Sequence, residues 1–236
     1  MSDAINEVSK ELRDYAEPER ARIHQRFFKT GRGEYGEGDK FLGIRVPHIR
    51  KLVRKFRGLS LRDTEKLLHS RWHEERLFAL LMLVDAFKRS SDELGENIFD
   101  LYMNSTRWIN NWDLVDLSAP HIPGGWLYGR DRKPLYEFAG SDNLWKKRIA
   151  IISTHYFIRK NDFKDTLHLS KKLLKDDHDL IHKAVGWMLR EVGKKDLETE
   201  EQFLRKHYMI MPRTMLRYAI EKFSEDKRQK YLKGKI

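Results

Sequence analysis

A cation followed by a short apolar run recurs along this chain at a nearly fixed interval. Its copies begin at Arg76, Arg148, Lys183 and Arg217, and the intervals between them are 72, 35 and 34 residues. Because 72 is twice 36, a further repeat position falls at Trp112. A period near 35 residues with two helices per unit is typical of an α-solenoid of helical repeats. The interval therefore predicts an all-α fold.

The same position in each repeat of a solenoid lines one surface. The four cations and Trp112 are therefore predicted to form a stripe along the concave face, which would be a basic groove. The alternative is that each cation merely begins a buried helix. Both interpretations remain open from the sequence.

Helical patterns run along most of the chain, and no stretch alternates long enough to predict a strand. Pro120, Pro123 and the pair Gly124-Gly125 are predicted to break the chain. The segment His73–Phe87 is apolar on most sides, which is typical of a helix buried between neighbours. We expect Lys233–Ile236 to be a frayed tail.

One long irregular stretch, Thr30–Arg45, interrupts the helical pattern. Within it Gly31-Arg-Gly-Glu-Tyr-Gly36 matches the G-x-G-x-x-G motif. That motif binds dinucleotides when it follows a strand, whereas a helical pattern precedes it here. Glu34, Glu37 and Asp39 would also repel phosphate. The stretch is therefore predicted to be a flexible glycine-rich loop, and no cofactor is expected.

The net charge of the chain indicates which class of macromolecule it binds. The chain has 47 Lys and Arg against 36 Asp and Glu, a net charge of +11, which favours a polyanion such as nucleic acid. It has no cysteine, which excludes disulfides, thiolate zinc sites and a cysteine nucleophile. No apolar run approaches the length of a membrane span, and the first residues do not resemble a secretion signal. We expect a cytoplasmic protein that does not contact membranes.

The segment Trp108-Ile-Asn-Asn-Trp-Asp-Leu-Val-Asp116 combines aromatic and acidic residues where a helix is predicted to begin. Asn110 or Asn111 is suited to be its N-cap. Trp112 and Asp116 are four residues apart and therefore share one helix face. Asp113 falls in the first turn, where an acid suits the helix dipole. The alternative is a capped helix whose tryptophan packs inward and whose aspartate pairs with an arginine.

Two further patterns lie near residue 180. Lys183, Trp187 and Arg190 share a helix face, which fits either core packing or an aromatic platform beside phosphate-binding cations. His178-Asp-Leu-Ile-His182 imitates the zinc motif H-E-x-x-H. Its shorter acid and the absence of a third ligand argue against a catalytic zinc site, and no metal is expected.

Six motifs occur in this chain in an order that resembles the AlkD-type alkylpurine DNA glycosylases. They are Phe41-Leu-Gly-Ile-Arg-Val-Pro47, His73-Glu-Glu-Arg76, Asn111-Trp-Asp-Leu-Val-Asp116, Trp145-Lys-Lys-Arg148, Lys183-Ala-Val-Gly-Trp-Met-Leu-Arg-Glu191 and Met211-Pro-Arg-Thr-Met-Leu-Arg-Tyr-Ala-Ile220. The resemblance runs from about residue 20 to about residue 230. It implies a single domain, residues 1–236, of HEAT-like helical pairs curved around duplex DNA.

The resemblance also implies roles for individual residues. Asp116, Trp112 and Trp187 would be the catalytic cluster, with Arg148 as a nearby phosphate contact. Phe27 matches a position where relatives can carry tyrosine, so it would keep stacking and lose a hydroxyl. The other expected DNA contacts are Arg45, Arg50, Lys183, Arg190, Arg213 and Arg217. The glycine-rich insertion before Phe41 departs from the shorter connection expected of the family, and the resemblance gives it no role.

The chemistry of a cationic alkylated purine suits such a cluster. The base leaves without protonation, and positive charge develops on the deoxyribose, where a carboxylate stabilises it. Indole faces attract cations and exclude water. Asp116 is favoured for this carboxylate, with Asp113 as the alternative. The sequence therefore predicts a monofunctional DNA glycosylase that acts as a monomer on double-stranded DNA containing alkylated purines.

Two other functions remain open from the sequence. One is a non-catalytic binder of branched or bent DNA, and the other is a protein-interaction solenoid. A cationic groove would be of no use to the protein-interaction solenoid. The combination of Trp112, Asp116 and Trp187 favours an enzyme over a binder.

Overall fold

The computed structural model describes residues 3–236, and the regular secondary structure of these residues is helical. They form fifteen α-helices and two short 3-10 helices, with no β-strand among them. One isolated bridge pairs Lys40 with Trp72. The predicted all-α fold is therefore confirmed. None of the described helices is both long enough and apolar enough to cross a membrane.

The chain divides into two compact units, residues 1–122 and 123–236. The prediction that they act as one domain stays a prediction. The helices of the first unit are α1 (Asp3–Asp14), α2 (Pro18–Phe27), α3 (Val46–Lys55), α4 (Leu61–Leu68), α5 (His73–Phe87), α6 (Asp92–Asn104) and α7 (Trp112–Ser118), with a 3-10 turn at Thr106–Trp108. Here α3, α5 and α7 pack in a row, and α4 and α6 pack beside α5.

The second unit repeats this arrangement with another row of helices. Its helices are α8 (Pro123–Leu127), α9 (Lys133–Ala139), α10 (Leu144–Arg159), α11 (Lys164–Lys172), α12 (Asp179–Gly193), α13 (Leu197–His207), α14 (Arg213–Ala219) and α15 (Glu225–Leu232), with a 3-10 turn at Ile220–Lys222. Helix α12 packs between α10 and α14, while α9, α11 and α13 flank this row. Each unit therefore stacks helices in the manner of a helical repeat.

Local sequence signals set several helix ends. Ser60 precedes α4 and accepts a hydrogen bond from the backbone N–H of Asp63 at 3.1 Å, as expected of an N-cap. The prediction that Pro123 and its neighbouring glycines break the chain was wrong, because α8 begins at this proline. Proline is tolerated there since the first N–H groups of a helix have no partner within it.

Helix α5 is buried on every side along most of its length. All twelve residues from His73 to Val84 are buried, which confirms the prediction of a helix enclosed by neighbours. Four of them, His73 to Arg76, are polar or charged. Buried charges of this kind require specific partners, and those partners organise the candidate site described below.

Gly186 explains how closely α12 and α14 approach each other. A Cβ atom at this position would lie 2.4 Å from the carbonyl oxygen of Met215 and 2.5 Å from Cβ of Tyr218. Only glycine fits such a contact without moving backbone. The same contact fixes the part of α12 that carries Trp187.

Hydrogen bonds hold the tail after α15. The hydroxyl of Tyr208 donates to the carbonyl of Ile236 at 3.1 Å. The backbone N–H of Lys235 donates to the carbonyl of Lys230 at 2.9 Å. The tail that was expected to fray is thus attached to the second unit.

Candidate active site

Trp112 is held at the start of α7 by two neighbouring rings. Asn111 is the N-cap, and its Oδ1 accepts from the backbone N–H of Trp112 at 2.9 Å. The indole stacks on Phe28, with ring centroids 5.2 Å apart and planes 24° apart. Phe27 meets the indole edge-on at 5.8 Å. Trp112 is half-buried and Phe27 is 59% exposed, so both rings retain surface that a ligand can reach.

The two carboxylates of α7 have different surroundings. Oδ2 of Asp113 lies 2.8 Å from Nε2 of His73, and the Asp113 side chain is only 12% exposed. Asp116 lies one turn after Trp112 and is half-buried. A carboxylate that pairs with a buried imidazolium is poorly placed to stabilise charge on a ligand. This geometry favours Asp116 over Asp113 for that role.

His73 is the centre of a buried polar network that sequence reasoning missed. Its Nδ1 lies 3.2 Å from Asp39, while Nε2 faces Asp113. Asp39 also accepts from Nη2 of Arg76 at 2.7 Å and from Nδ2 of Asn110 at 3.0 Å. Burial alone would lower the pKa of His73, but the two carboxylates outweigh it and raise that pKa to about 9. His73 is therefore positively charged near neutral pH, with both ring nitrogens donating.

Glu74 fixes the end of the glycine-rich loop. Its carboxylate accepts from the backbone N–H groups of Leu42, Gly43 and Ile44 at 2.8, 2.8 and 3.2 Å. Gly43 has φ of +79°, and a Cβ there would lie 2.3 Å from the carbonyl oxygen of Glu17. The segment Thr30–Arg45, for which no role was predicted, is thus anchored at its end and supplies Asp39 and Phe41.

The cation repeat divides into buried and accessible members. Arg76 is 2% exposed and Arg148 is 5% exposed. Nη1 of Arg148 donates to the carbonyl of Leu180 at 2.6 Å. The expectation that both arginines line an exposed stripe was wrong, because each is enclosed at the start of a buried helix. Lys183 is half-buried and Arg217 is exposed.

In the second unit, Trp187 is held by a carboxylate on its own helix. Its Nε1 donates to Glu191 at 3.1 Å, and a guanidinium nitrogen of Arg190 lies 3.4 Å from the same oxygen. Lys183 pairs with Asp179 at 2.6 Å. Trp187 is half-buried. The proximity of Trp187 to Trp112 and Asp116 stays a prediction, because Trp187 belongs to the other unit.

The remaining predicted DNA contacts lie at the surface of their units. The exposed side chains among them are Arg45, Arg50, Arg213 and Arg217. Nη1 of Arg213 donates to the carbonyl of Leu232 at 3.0 Å. Exposed arginines of this kind are available to phosphate without loss of buried hydrogen bonds.

The two histidines of the zinc-like motif have structural roles. Nδ1 of His178 accepts from the backbone N–H of Leu180 at 3.1 Å and caps α12. Nε2 of His182 lies 2.5 Å from the carbonyl of Asp176. Through these hydrogen bonds both histidines stabilise the start of α12.

Arg148 and Arg217 are expected to respond differently to replacement by alanine. Arg217→Ala should lower the slope of log affinity for duplex DNA against log salt by about one, with little change in melting temperature. Arg148→Ala should lower the melting temperature, because the carbonyl of Leu180 loses its donor. Salt titrations and thermal melts of both variants test this. An unchanged salt slope in Arg148→Ala would contradict the phosphate contact predicted from the sequence.

Comparisons with known proteins agree on one family. The sequence profile of the DNA alkylation repair enzyme family matches residues 8–223. No curated protein gives a significant sequence match. Among solved structures, the chain is similar to a predicted DNA alkylation repair enzyme from Enterococcus faecalis, with a TM-score of 0.71 and 18% identity over 89% of this chain and 97% of that one. At that identity the structural likeness shows only a shared fold. The profile match covers most of the sequence and therefore shows the family. The chain belongs to the DNA alkylation repair enzyme family.

Proposed function

We propose that this protein is a monofunctional DNA glycosylase that excises cationic alkylated purines from duplex DNA. Membership of a DNA alkylation repair family supports this proposal. The observation that carries it is the pairing of a half-buried indole with a carboxylate one turn later on α7, beside the exposed ring of Phe27.

The proposed reaction uses few protein groups. A purine alkylated at N3 or N7 carries a positive charge and leaves as a neutral base. As the bond between base and sugar stretches, the positive charge moves to the deoxyribose. Asp116 stabilises that charge and orients the attacking water. Trp112 supplies an aromatic face that attracts the cation and excludes competing water.

The charge distribution supports duplex DNA as the partner. The chain carries a net charge of +11, and exposed arginines occur in both units, among them Arg45 and Arg217. Phosphate neutralisation by such cations accounts for affinity that does not depend on sequence. We propose that the protein acts as a cytoplasmic monomer that associates with the nucleoid while it is bound to DNA, without a cofactor.

The proposed chemistry predicts a sharp substrate preference. Duplex DNA containing 7-methylguanine should release free base, whereas a matched duplex containing uracil should not. Uracil is neutral, and its departure would need a proton from a general acid. The product should be an abasic site in an intact strand, since no lysine is assigned as a Schiff-base nucleophile.

A chromatographic assay for free base, with and without alkali, measures these outcomes together. Efficient release of uracil would refute the charge argument. Strand breaks before alkali would show that a lysine acts as a nucleophile. Tight binding of both duplexes with no release would instead identify a non-catalytic DNA binder.

A further inference from the structure

A small cavity in the unit of residues 123–236 lies between α11 and α13. Both helices pack against α12, and the cavity between them has a volume of about 260 Å³. Its polar lining consists of His168, Lys171, Thr199, Gln202, Lys206 and His207. Pockets for drug-sized ligands are usually about 300–1,000 Å³. This cavity therefore suits a smaller ligand or the end group of a larger one.

The charges that line this cavity are all positive. Lys171 on α11 and Lys206 on α13 each contribute an exposed side chain with an ammonium group. Neither lysine forms an ion pair with any residue that the structure describes, whereas Lys194 elsewhere in this unit pairs with Glu191 at 2.7 Å. No carboxylate belongs to the lining within residues 3–236. A cleft whose charges have one sign concentrates counter-ions of the opposite sign, so this cavity attracts anions.

The surroundings of His207 show that the two lysines converge on the cavity. The imidazole is half-buried, and its centroid lies 4.6 Å from that of the Phe203 ring. Burial lowers the pKa of His207, and the positive charges of Lys171 and Lys206 lower it further. No carboxylate is among the groups that shift this pKa. Positive charge from both helices therefore acts on one imidazole without a protein counter-charge.

The acids at the start of α13 are bonded to side chains of their own helix. Asp196 caps this helix and accepts from the backbone N–H of Thr199 at 3.1 Å and from its hydroxyl at 2.7 Å. Glu198 accepts from Nε2 of Gln202 at 3.2 Å. Neither carboxylate lines the cavity. The lysines of the lining are thus left for a ligand of opposite charge.

We propose that this cavity binds the terminal phosphate group of a phosphomonoester. Such a group carries close to two negative charges near neutral pH, which matches the ammonium groups of Lys171 and Lys206. Its terminal oxygens accept hydrogen bonds, and the two lysines and the imidazole of His207 supply N–H donors. A phosphodiester within duplex DNA carries a single charge and is flanked by sugars on both sides. It therefore matches a small cavity with two ammonium groups less well than a terminal phosphate does.

Titration of the full chain with ribose 5-phosphate tests the proposal, with the imidazole NMR signals as the readout. The signal of His207 is identified by its loss in His207→Gln. We expect saturable binding and a rise in the pKa of His207 by about one unit or more, because a nearby anion favours the protonated imidazole. Absence of saturable binding, or binding that leaves the pKa of His207 unchanged, would overturn the assignment of this cavity.

Charge variants locate the bound phosphate. Lys171→Gln and Lys206→Gln should each weaken the binding of ribose 5-phosphate roughly tenfold, since each loses a hydrogen bond between charged groups. The matched control is Lys172→Gln, which removes the same charge from α11 at an exposed position outside the lining. It should change the affinity by less than about twofold, because salt screens an exposed charge that does not touch the ligand. Equal weakening by all three variants would show a response to net charge alone and would overturn the cavity site.

Further ligands test the chemical class and distinguish two sources of the phosphate group. Dimethyl phosphate carries a single charge, and an affinity equal to that of ribose 5-phosphate would overturn the preference for a terminal phosphate. Matched single-stranded oligonucleotides with a 5′-phosphate or a 5′-hydroxyl show whether the group belongs to a strand end. A gain in affinity from the 5′-phosphate that Lys171→Gln removes would support the cavity and identify a strand end as its ligand. Equal affinities of the two oligonucleotides, together with binding of ribose 5-phosphate, would support the cavity as a site for a small free phosphomonoester.

Discussion

Asp116→Asn should lower the rate of 7-methylguanine excision by roughly 100-fold or more, while affinity for the duplex stays nearly unchanged. The substitution keeps the shape of the side chain and removes its negative charge. A positioned group that stabilises transition-state charge is worth roughly that factor. Single-turnover release of free base, measured alongside duplex binding, provides both quantities.

The matched control for Asp116→Asn is Asp100→Asn, an exposed aspartate on α6 of the same unit. It should excise at the rate of the unmodified protein. Asp113→Asn provides the contrary test. If it eliminated excision in folded protein while Asp116→Asn were nearly silent, the assignment of the catalytic carboxylate would pass to Asp113.

His73→Gln should destabilise the protein most at acidic to neutral pH and progressively less above it. His73 has a folded-state pKa raised from 6.5 to about 9. Its charge therefore contributes fully below about pH 6.5, and that contribution is lost as the pH rises through 9. A shift of this size corresponds to roughly 3 kcal/mol of unfolding free energy.

Denaturant unfolding of both proteins between pH 6 and 10 measures this effect as the difference between their stabilities. Taking the difference cancels other groups that titrate in both proteins. His168→Gln is the control, because His168 is exposed and lies outside the network around His73. A stability difference that grows with pH would show that His73 is neutral in the folded protein.

Local sequence rules accounted for the helices of this protein well. Asn111 is the N-cap of α7, and it is one of the two asparagines that were predicted for this role from side-chain chemistry acting within one turn. The segment His73–Phe87 is the helix α5 with those bounds. Caps and apolar patterns depend only on residues that are close in the sequence, so they can be identified without knowledge of the fold.

The candidate site was less accessible to prediction. The pairing of His73 with Asp113 joins residues 40 apart, and that of Asp39 with Asn110 joins residues 71 apart. No periodicity marks such pairs. A cation before an apolar run gives the same sequence pattern whether its side chain is exposed or buried. The pattern alone therefore could not show that Arg76 is buried.

The glycine-rich loop divides into a tip and an anchor, and this division bears on how the chain tolerates insertions. In the tip, the carboxylates of Glu34 and Glu37 accept from the backbone N–H groups of Gly31 and Gly33. The anchor begins at Asp39, which is buried. Because these hydrogen bonds lie within the tip itself, we expect that residues can be added to or removed from the tip without moving the anchor. Relatives can then differ in loop length while the anchor keeps its position beside α7.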